Sequence, residues 1–210
     1  MRWSFTSELT ASERNTEDVP RFELSEDRWM RLLENADADE LYRLIDANRA
    51  HLARWMPFVG QTRSAADSLA FIGSARRQLA ENRGMQMAIV GGERIIGVAG
   101  YHRIDWARRS TSIGYWLAED QQGAGTMTLA VTALVDHAFA GFRLARVEIR
   151  AGVENRRSRA IPERLGFHEE GVVRGAERIG PRVIDHVVYA MTGGEWERVS
   201  ANRSRDALRA

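Results

Sequence analysis

The sequence predicts a single mixed α/β (α+β) domain, and three observations carry that reading. Short apolar runs of strand length open the chain, two helical stretches follow, and a β-meander then gives way to alternating helix and strand. At 210 residues the chain is long enough for one well-packed domain and too short for two of ordinary size plus a linker. A hydrophobic share of 44% beside 28% charged residues is that of a soluble globular protein.

Residues 1–20 are polar and read as an arm, with Trp3 and Phe5 as its candidate docking residues. The domain proper runs over 21–192. Arg21–Leu24 and Trp29–Leu33 read as strands around a Ser-Glu-Asp turn. Asp37 is placed to cap a helix reaching about Arg54, with Leu41, Leu44, Ile45 and Leu52 on one face. Asn48 interrupts that stripe, and Pro57 ends the helix. A second helix over about Ala65–Glu81 carries Leu69, Ile72 and Leu79. Gln86–Val90 and Arg94–Tyr101 are apolar runs joined by Gly91-Gly92-Glu93, a hairpin signature. Thr111–Leu117 is the next strand, and Thr126–Phe139 is a helix with apolar residues at i, i+3, i+4 spacing. Arg146–Val153 is a strand, Arg159–Leu165 a short helix closed by Gly166, and His168–Arg174 and Val183–Met191 are two final strands. Residues 193–210, polar and rich in arginine, read as a C-terminal tail.

Composition narrows the chemistry. There is no cysteine, which removes disulfides, thiolate nucleophiles and Cys-ligated metal, and fits a cytoplasmic protein. The N-terminus lacks the apolar stretch of a secretory signal, and no run approaches the roughly 18 apolar residues of a membrane span. A formal charge of +1 gives no electrostatic case for binding nucleic acid or a membrane surface. All 30 basic residues are arginine, so no lysine chemistry is available. The five histidines show no metal-ligand spacing, and no metal is expected; His102 and His186 are the two to inspect.

The most informative segment is Tyr115 to Met127, where a strand runs into Gln122-Gly123-Ala124-Gly125 and a helix begins at once. Glycines let backbone amides approach a ligand closely, and a helix start offers unpaired N–H groups with partial positive charge, suited to a pyrophosphate. The plainer alternative is a tight strand-to-helix turn with no ligand.

This segment resembles the Gln/Arg-x-x-Gly-x-Gly/Ala signature of the GNAT N-acetyltransferases, with Met127 at its last position. Further blocks resemble the RimJ/RimL-like, ribosomal-protein branch of that superfamily. They are Asn48-Arg49 through Leu52 to Trp55-Met56-Pro57, Asn155-Arg156-Arg157-Ser158, and Ile161 to Phe167. Glu169-Glu170-Gly171, Arg174, and Asp185 before Tyr189 continue the pattern, so that it spans about residues 28–192.

The resemblance implies a GNAT fold, with a central mixed twisted sheet of about seven strands and flanking helices. It implies acetyl-CoA lying in a V between two splayed parallel strands, here Thr111–Leu117 and Arg146–Val153. The implied donor site comprises Leu117, Gln122, Gly123, Ala124, Gly125, Thr126, Met127 and Thr128, with Asn155 and Ser158 near the pantetheine and sulfur. Ser158 is the implied partner of the leaving thiolate, and Glu177, 19 residues on, the implied base; Trp55 and Phe58 would line the acceptor cleft. The implied function is transfer of the acetyl group to a primary amine by direct attack, the acceptor being a protein N-terminus or a small molecule, with a homodimer as the expected assembly.

Plainer roles stand beside these. Ser158 suits the N-cap of the helix near Arg159, Glu177 a solvated loop, Asn155 a turn, Asn48 a satisfied structural amide, and Trp55 and Phe58 the core. Water relayed to Glu169 or Glu170 is another proton route. The alternative function is a catalytically weak acyl-CoA-binding sensor or interaction module.

Overall fold

The computed structural model describes residues 20–207, so Trp3 and Phe5 lie outside the described residues. All eight segments read as strands join one sheet, one more than the family pattern leads one to expect. They are β1 (Phe22–Ser25), β2 (Arg28–Leu32), β3 (Met85–Gly91), β4 (Arg94–Asp105), β5 (Ser110–Leu117), β6 (Arg146–Gly152), β7 (His168–Ile179) and β8 (Arg182–Thr192). The order across the sheet is β1-β2-β3-β4-β5-β6-β8-β7. Neighbours are antiparallel except β5 and β6, which are parallel. A parallel pair needs a crossover, and the Gly-rich loop with the helix after it supplies one.

Helix α4 (Thr126–Asp136), extended by a π turn at His137–Gly141, and helix α5 (Arg156–Leu165) cover one face. Val131, Leu134 and Val135 pack there against Tyr101, Ile113, Val147, Ile149 and Tyr189. Burying each such aliphatic side chain is worth about 1.5–3 kcal/mol. Helices α1 (Ala38–Ala47) and α3 (Ala65–Ala80) cover β2–β5 on the other face, with Leu41, Ile45 and Ile72 against Ala88, Val90, Ile95 and Val98. Among the described residues, no helix is long and apolar enough to cross a membrane.

Four local differences from the sequence reading have physical causes. Asp37 does not cap α1 with its side chain; it accepts from the Glu34 N–H and pairs with Arg31 at 2.7 Å, locking the turn before the helix. The first helix breaks at Asn48, whose Nδ2 donates to Leu44 O at 3.0 Å while its Oδ1 accepts from the Glu119 N–H at 2.8 Å. A short helix α2 (Arg49–Leu52) follows. Strand β7 runs on to Ile179 rather than ending at Arg174, because a bulge after Val173 lets Glu177 pair with Ile184.

The fourth difference is the stretch read as a tail. It is helix α6 (Gly193–Ala207), held by Trp196, which is buried against the α4 side of the core. The indole Nε1–H donates to Asp136 at 2.6 Å, and the Arg203 guanidinium lies over the ring. Burial raises the Asp136 carboxyl pKa, and the indole bond works against that. Trp196→Phe keeps most of the apolar packing but strips Asp136 of its donor, and is expected to destabilise the fold by about 1–2 kcal/mol. Urea unfolding measures this, and an unchanged midpoint would show that the bond adds nothing.

Candidate functional site

The sheet opens where β5 and β6 part. Their pairing runs from Ser110↔Arg146 to Ile113↔Ile149 and stops there. Beyond it, β5 stays with β4 through Leu117, and β6 stays with β8 through Gly152. The result is a V with its fork at Gly114 and its mouth at Leu117 and Gly152.

The Gly-rich loop closes the β5 side of the mouth. Gly123 and Gly125 take φ of +88° and +77°, and a Cβ on either would meet no heavy atom within 4 Å. Gly125 is the N-cap of α4, and the first helical bond runs from Leu129 N–H to its carbonyl, which leaves the amides of the first turn unpaired. The side chains of Thr126 and Met127 are buried, so these residues can meet a ligand through their backbone. Gln122 is fixed from three sides: its Nε2 donates to His51 Nε2 at 2.8 Å and toward Leu117 O, and its Oε1 accepts from Arg157.

Three guanidiniums to which the sequence reading assigns no role gather here, two of them, Arg157 and Arg164, from its motif blocks. Arg28 donates to Thr126 Oγ1, Arg164 to Thr128 Oγ1 and Arg157 to Gln122. In a chain without lysine they carry the local positive charge. Open amides, glycine-lined space and guanidiniums together fit a pyrophosphate.

On the α5 side of the sheet, Asn155 caps α5 by accepting from the Ser158 N–H at 3.2 Å. Ser158 is therefore three residues inside the cap rather than the cap itself, and its hydroxyl is left for other work. Its Oγ lies 3.4 Å from the Tyr115 hydroxyl, which in turn donates to the Ser158 carbonyl at 3.0 Å. Desolvation raises the Tyr115 pKa far above the phenol range, so the group stays protonated. Tyr115 stood inside the sequence motif, but its partnership with Ser158 spans 43 residues and was not legible there.

The opposite face of the V carries the remaining candidates. Trp55 stacks on Gly152, where an added Cβ would sit 3.3 Å from its ring. Glu177 is half-buried in β7, with Oε2 3.4 Å from His186 Nε2, and His186 pairs with Gly152 across the β6–β8 register. Arg182, the first residue of β8, donates to the carbonyls of Ala53 and Arg54, tying the segment before Trp55 to this arm. Phe58 belongs to the α1–α3 core, its ring centroid 6.1 Å from that of Trp116. Glu169 and Glu170 lie at the far end of β7 and are engaged by Arg159 and Arg146, away from the mouth.

A family model described as an acetyltransferase (GNAT) domain matches residues 28–168. The putative ribosomal N-acetyltransferase YdaF of Bacillus subtilis is 37% identical over 170 residues, covering 80% of this chain and 92% of that protein. Among solved structures, the microcin C7 self-immunity acetyltransferase MccE in complex with acetyl-CoA and AMP aligns with a TM-score of 0.77 and 27% identity, over 80% of this chain and 94% of that one. RimJ of Mycobacterium smegmatis in complex with a CoA-disulfide gives a TM-score of 0.79 and 27% identity, over 87% and 90% of the two chains.

Proposed function

The chain belongs to the GNAT acetyltransferase family, and on that premise we propose that it acetylates the N-terminal amine of a ribosomal protein by direct attack on the thioester. It is an acetyl-CoA-dependent acyltransferase with acetyl-CoA as co-substrate. A ribosomal acceptor would set the reaction in the cytoplasm.

The observation that carries the reading is the division of the V into two chemically different faces. Ser158 and Tyr115 stand on one, where a leaving thiolate needs donors. Trp55 and the Glu177–His186 pair stand on the other, where an amine needs a proton acceptor. The pyrophosphate rests on the amides of Gln122 to Thr128, and the thioester points to the fork. Glu177 takes a proton from the incoming ammonium, and the neutral amine attacks the carbonyl carbon. The nitrogen then gives up its second proton to a further acceptor, and the C–S bond breaks as the C–N bond holds, with the thiolate received by the Ser158 hydroxyl. Without cysteine in the chain, no acyl-cysteine intermediate forms.

The test is amine-dependent release of CoA thiol from acetyl-CoA on a panel of ribosomal N-terminal peptides, polyamines and aminoglycosides. Turnover on the peptides supports the reading, turnover only on small amines moves the acceptor, and acetyl-CoA binding without any turnover favours a sensor.

The donor half of the site makes a separate prediction. In Gly125→Val, a β-branched residue must adopt φ near +77°, and its side chain enters the open mouth of the loop. The affinity for acetyl-CoA is expected to fall at least about tenfold, or about 1.4 kcal/mol. Calorimetric titration of the folded variant measures this, and an unchanged Kd would remove the loop from the donor site.

A further inference from the structure

Resting on the reading above, we propose that His102 is a second proton acceptor of the acetyl transfer, placed at the fork of the V on the acceptor face. His102 lies in β4, and its imidazole fills the space over Gly114 so closely that a Cβ there would collide with Nε2 and Cε1. Gly114 is the first residue of β5 past the last β5–β6 pair, so the ring sits where the two arms begin to part. It is also next in sequence to Tyr115, whose hydroxyl meets Ser158 from the other face. Along the V, His102 is thus level with the sulfur end of the site.

The face it occupies is fixed by the register. Trp116, two residues on from Gly114, packs with Phe58 against the α1–α3 core, so Gly114 opens to that side of the sheet. Gly152 of β6 opens to the same side and carries the Trp55 ring. Each arm of the V therefore has one glycine, and each glycine is covered by one ring. The amine reaches the thioester between Trp55 and His102. Glu177 lies further out: its strand partner Ile184 is two residues beyond His186, the partner of Gly152.

Two protons leave the nitrogen during amide formation, and the two acceptors divide them by position. Glu177 takes the first from the ammonium at the mouth. Attack then forms the C–N bond and a tetrahedral centre with a positively charged nitrogen. His102 takes the proton of that nitrogen as the carbonyl re-forms and the C–S bond breaks, and the thiolate leaves with the electron pair. Both protons pass from Glu177 and His102 to water, and no oxidant or other co-reactant is needed.

The surroundings suit a neutral imidazole. The cavity beside His102 is lined by Phe71, Ser74 and Gln78 of α3, Gln86 of β3, and Arg103, which is its charged member among the described residues. Glu148 of β6 lies on the same face beyond Ser112 and is ion-paired with Arg146 and Arg150. Partial desolvation of the ring lowers the His102 pKa from its ordinary value, although the residue as a whole remains open to solvent.

The experiment compares kcat for the full chain and for His102→Gln, with saturating acetyl-CoA and a ribosomal N-terminal peptide, from about pH 5, on the acid side of the ordinary histidine value where a desolvated ring titrates, to about pH 9, where it is fully neutral. A loss of about tenfold near neutrality that shrinks to about threefold or less at the alkaline end is expected, because hydroxide replaces the missing base. The limb of the profile set by His102 should vanish in the variant, and its acetyl-CoA Kd should be unchanged, since the ring is on the face away from Ser158. Gly114→Ala keeps the histidine but displaces its ring, and should reproduce the loss. A deficit equal at every pH, or a variant within about twofold of wild type throughout, overturns the assignment. Absence of peptide turnover by the wild-type protein would instead sink the proposed function, and this inference with it.

Discussion

Ser158→Ala is expected to lower kcat about 100-fold while the affinity for acetyl-CoA stays within about threefold of wild type. The asymmetry follows from how the residue is held. The start of α5 is capped by Asn155 Oδ1 on the Ser158 backbone N–H, so the helix does not depend on the hydroxyl. The Tyr115 proton is committed to the Ser158 carbonyl at 3.0 Å, which leaves the phenol oxygen as an acceptor for Ser158 Oγ–H at 3.4 Å. When a thiolate develops nearby, the serine can turn its proton toward the stronger acceptor and leave the long bond to Tyr115. The interaction is made as the C–S bond breaks, so its loss appears in kcat rather than in binding.

Glu177→Gln belongs to the same series and is expected to cost about 100-fold in kcat, since glutamine keeps the size but takes no proton. Steady-state kinetics with calorimetric Kd values check both variants. A Ser158→Ala protein within about threefold of wild-type kcat would leave the thiolate without its assigned partner. A Glu177→Gln protein with full activity would move the first deprotonation elsewhere, with His186 beside it as the next group to replace.

The parts of this site that were legible in the sequence are those whose function is local. The turn Gln122 to Gly125 announces itself because positive φ at Gly123 and Gly125 requires glycine and because α4 begins at the next residue. Asn155 and Ser158 are three residues apart and face each other across one helical turn, which a linear pattern can register. What stayed hidden depends on pairing between strands. The contact of His102 with Gly114 needs the β4–β5 register and its irregularity between Tyr101 and Ile104. The contact of Trp55 with Gly152 joins residues nearly half the chain apart, and the bulge that brings Glu177 to His186 has no signature in a run of charged residues. Helix α6 was missed for a different reason: Trp196 and Val199 face the core at i, i+3 spacing, but charged and polar residues make up most of the segment and dilute the apolar stripe.

Acid is expected to destabilise the fold by about 3 kcal/mol through His137 alone. His137 opens the π turn at the end of α4 and is packed among the rings of Phe22, Phe142 and Tyr101. Tyr101 donates its proton to Leu134 O at 2.6 Å, so its oxygen accepts from Nδ1–H of His137 at 3.1 Å, which selects the neutral Nδ1-protonated ring. Burial lowers the His137 pKa from 6.5 to about 4. In the unfolded chain the ring binds a proton near its ordinary value, so below that value the unfolded state holds more protons than the folded one. The stabilisation is complete above about pH 6.5 and drains away as pH falls toward 4, the gap of about 2.5 units corresponding to about 3 kcal/mol. Carboxylates held low by partners, such as Asp37 beside Arg31, also lose stability in acid, so wild-type unfolding alone does not isolate the histidine. His137→Gln keeps a donor for Tyr101 and cannot titrate. The difference in unfolding free energy between neutral pH and about pH 4.5 should be smaller in this variant by about 2–3 kcal/mol, measured by urea denaturation at each pH. Parallel losses in the two proteins would mean that the ring accepts a proton in place, with water or a carboxylate reaching Nε2 at the π turn.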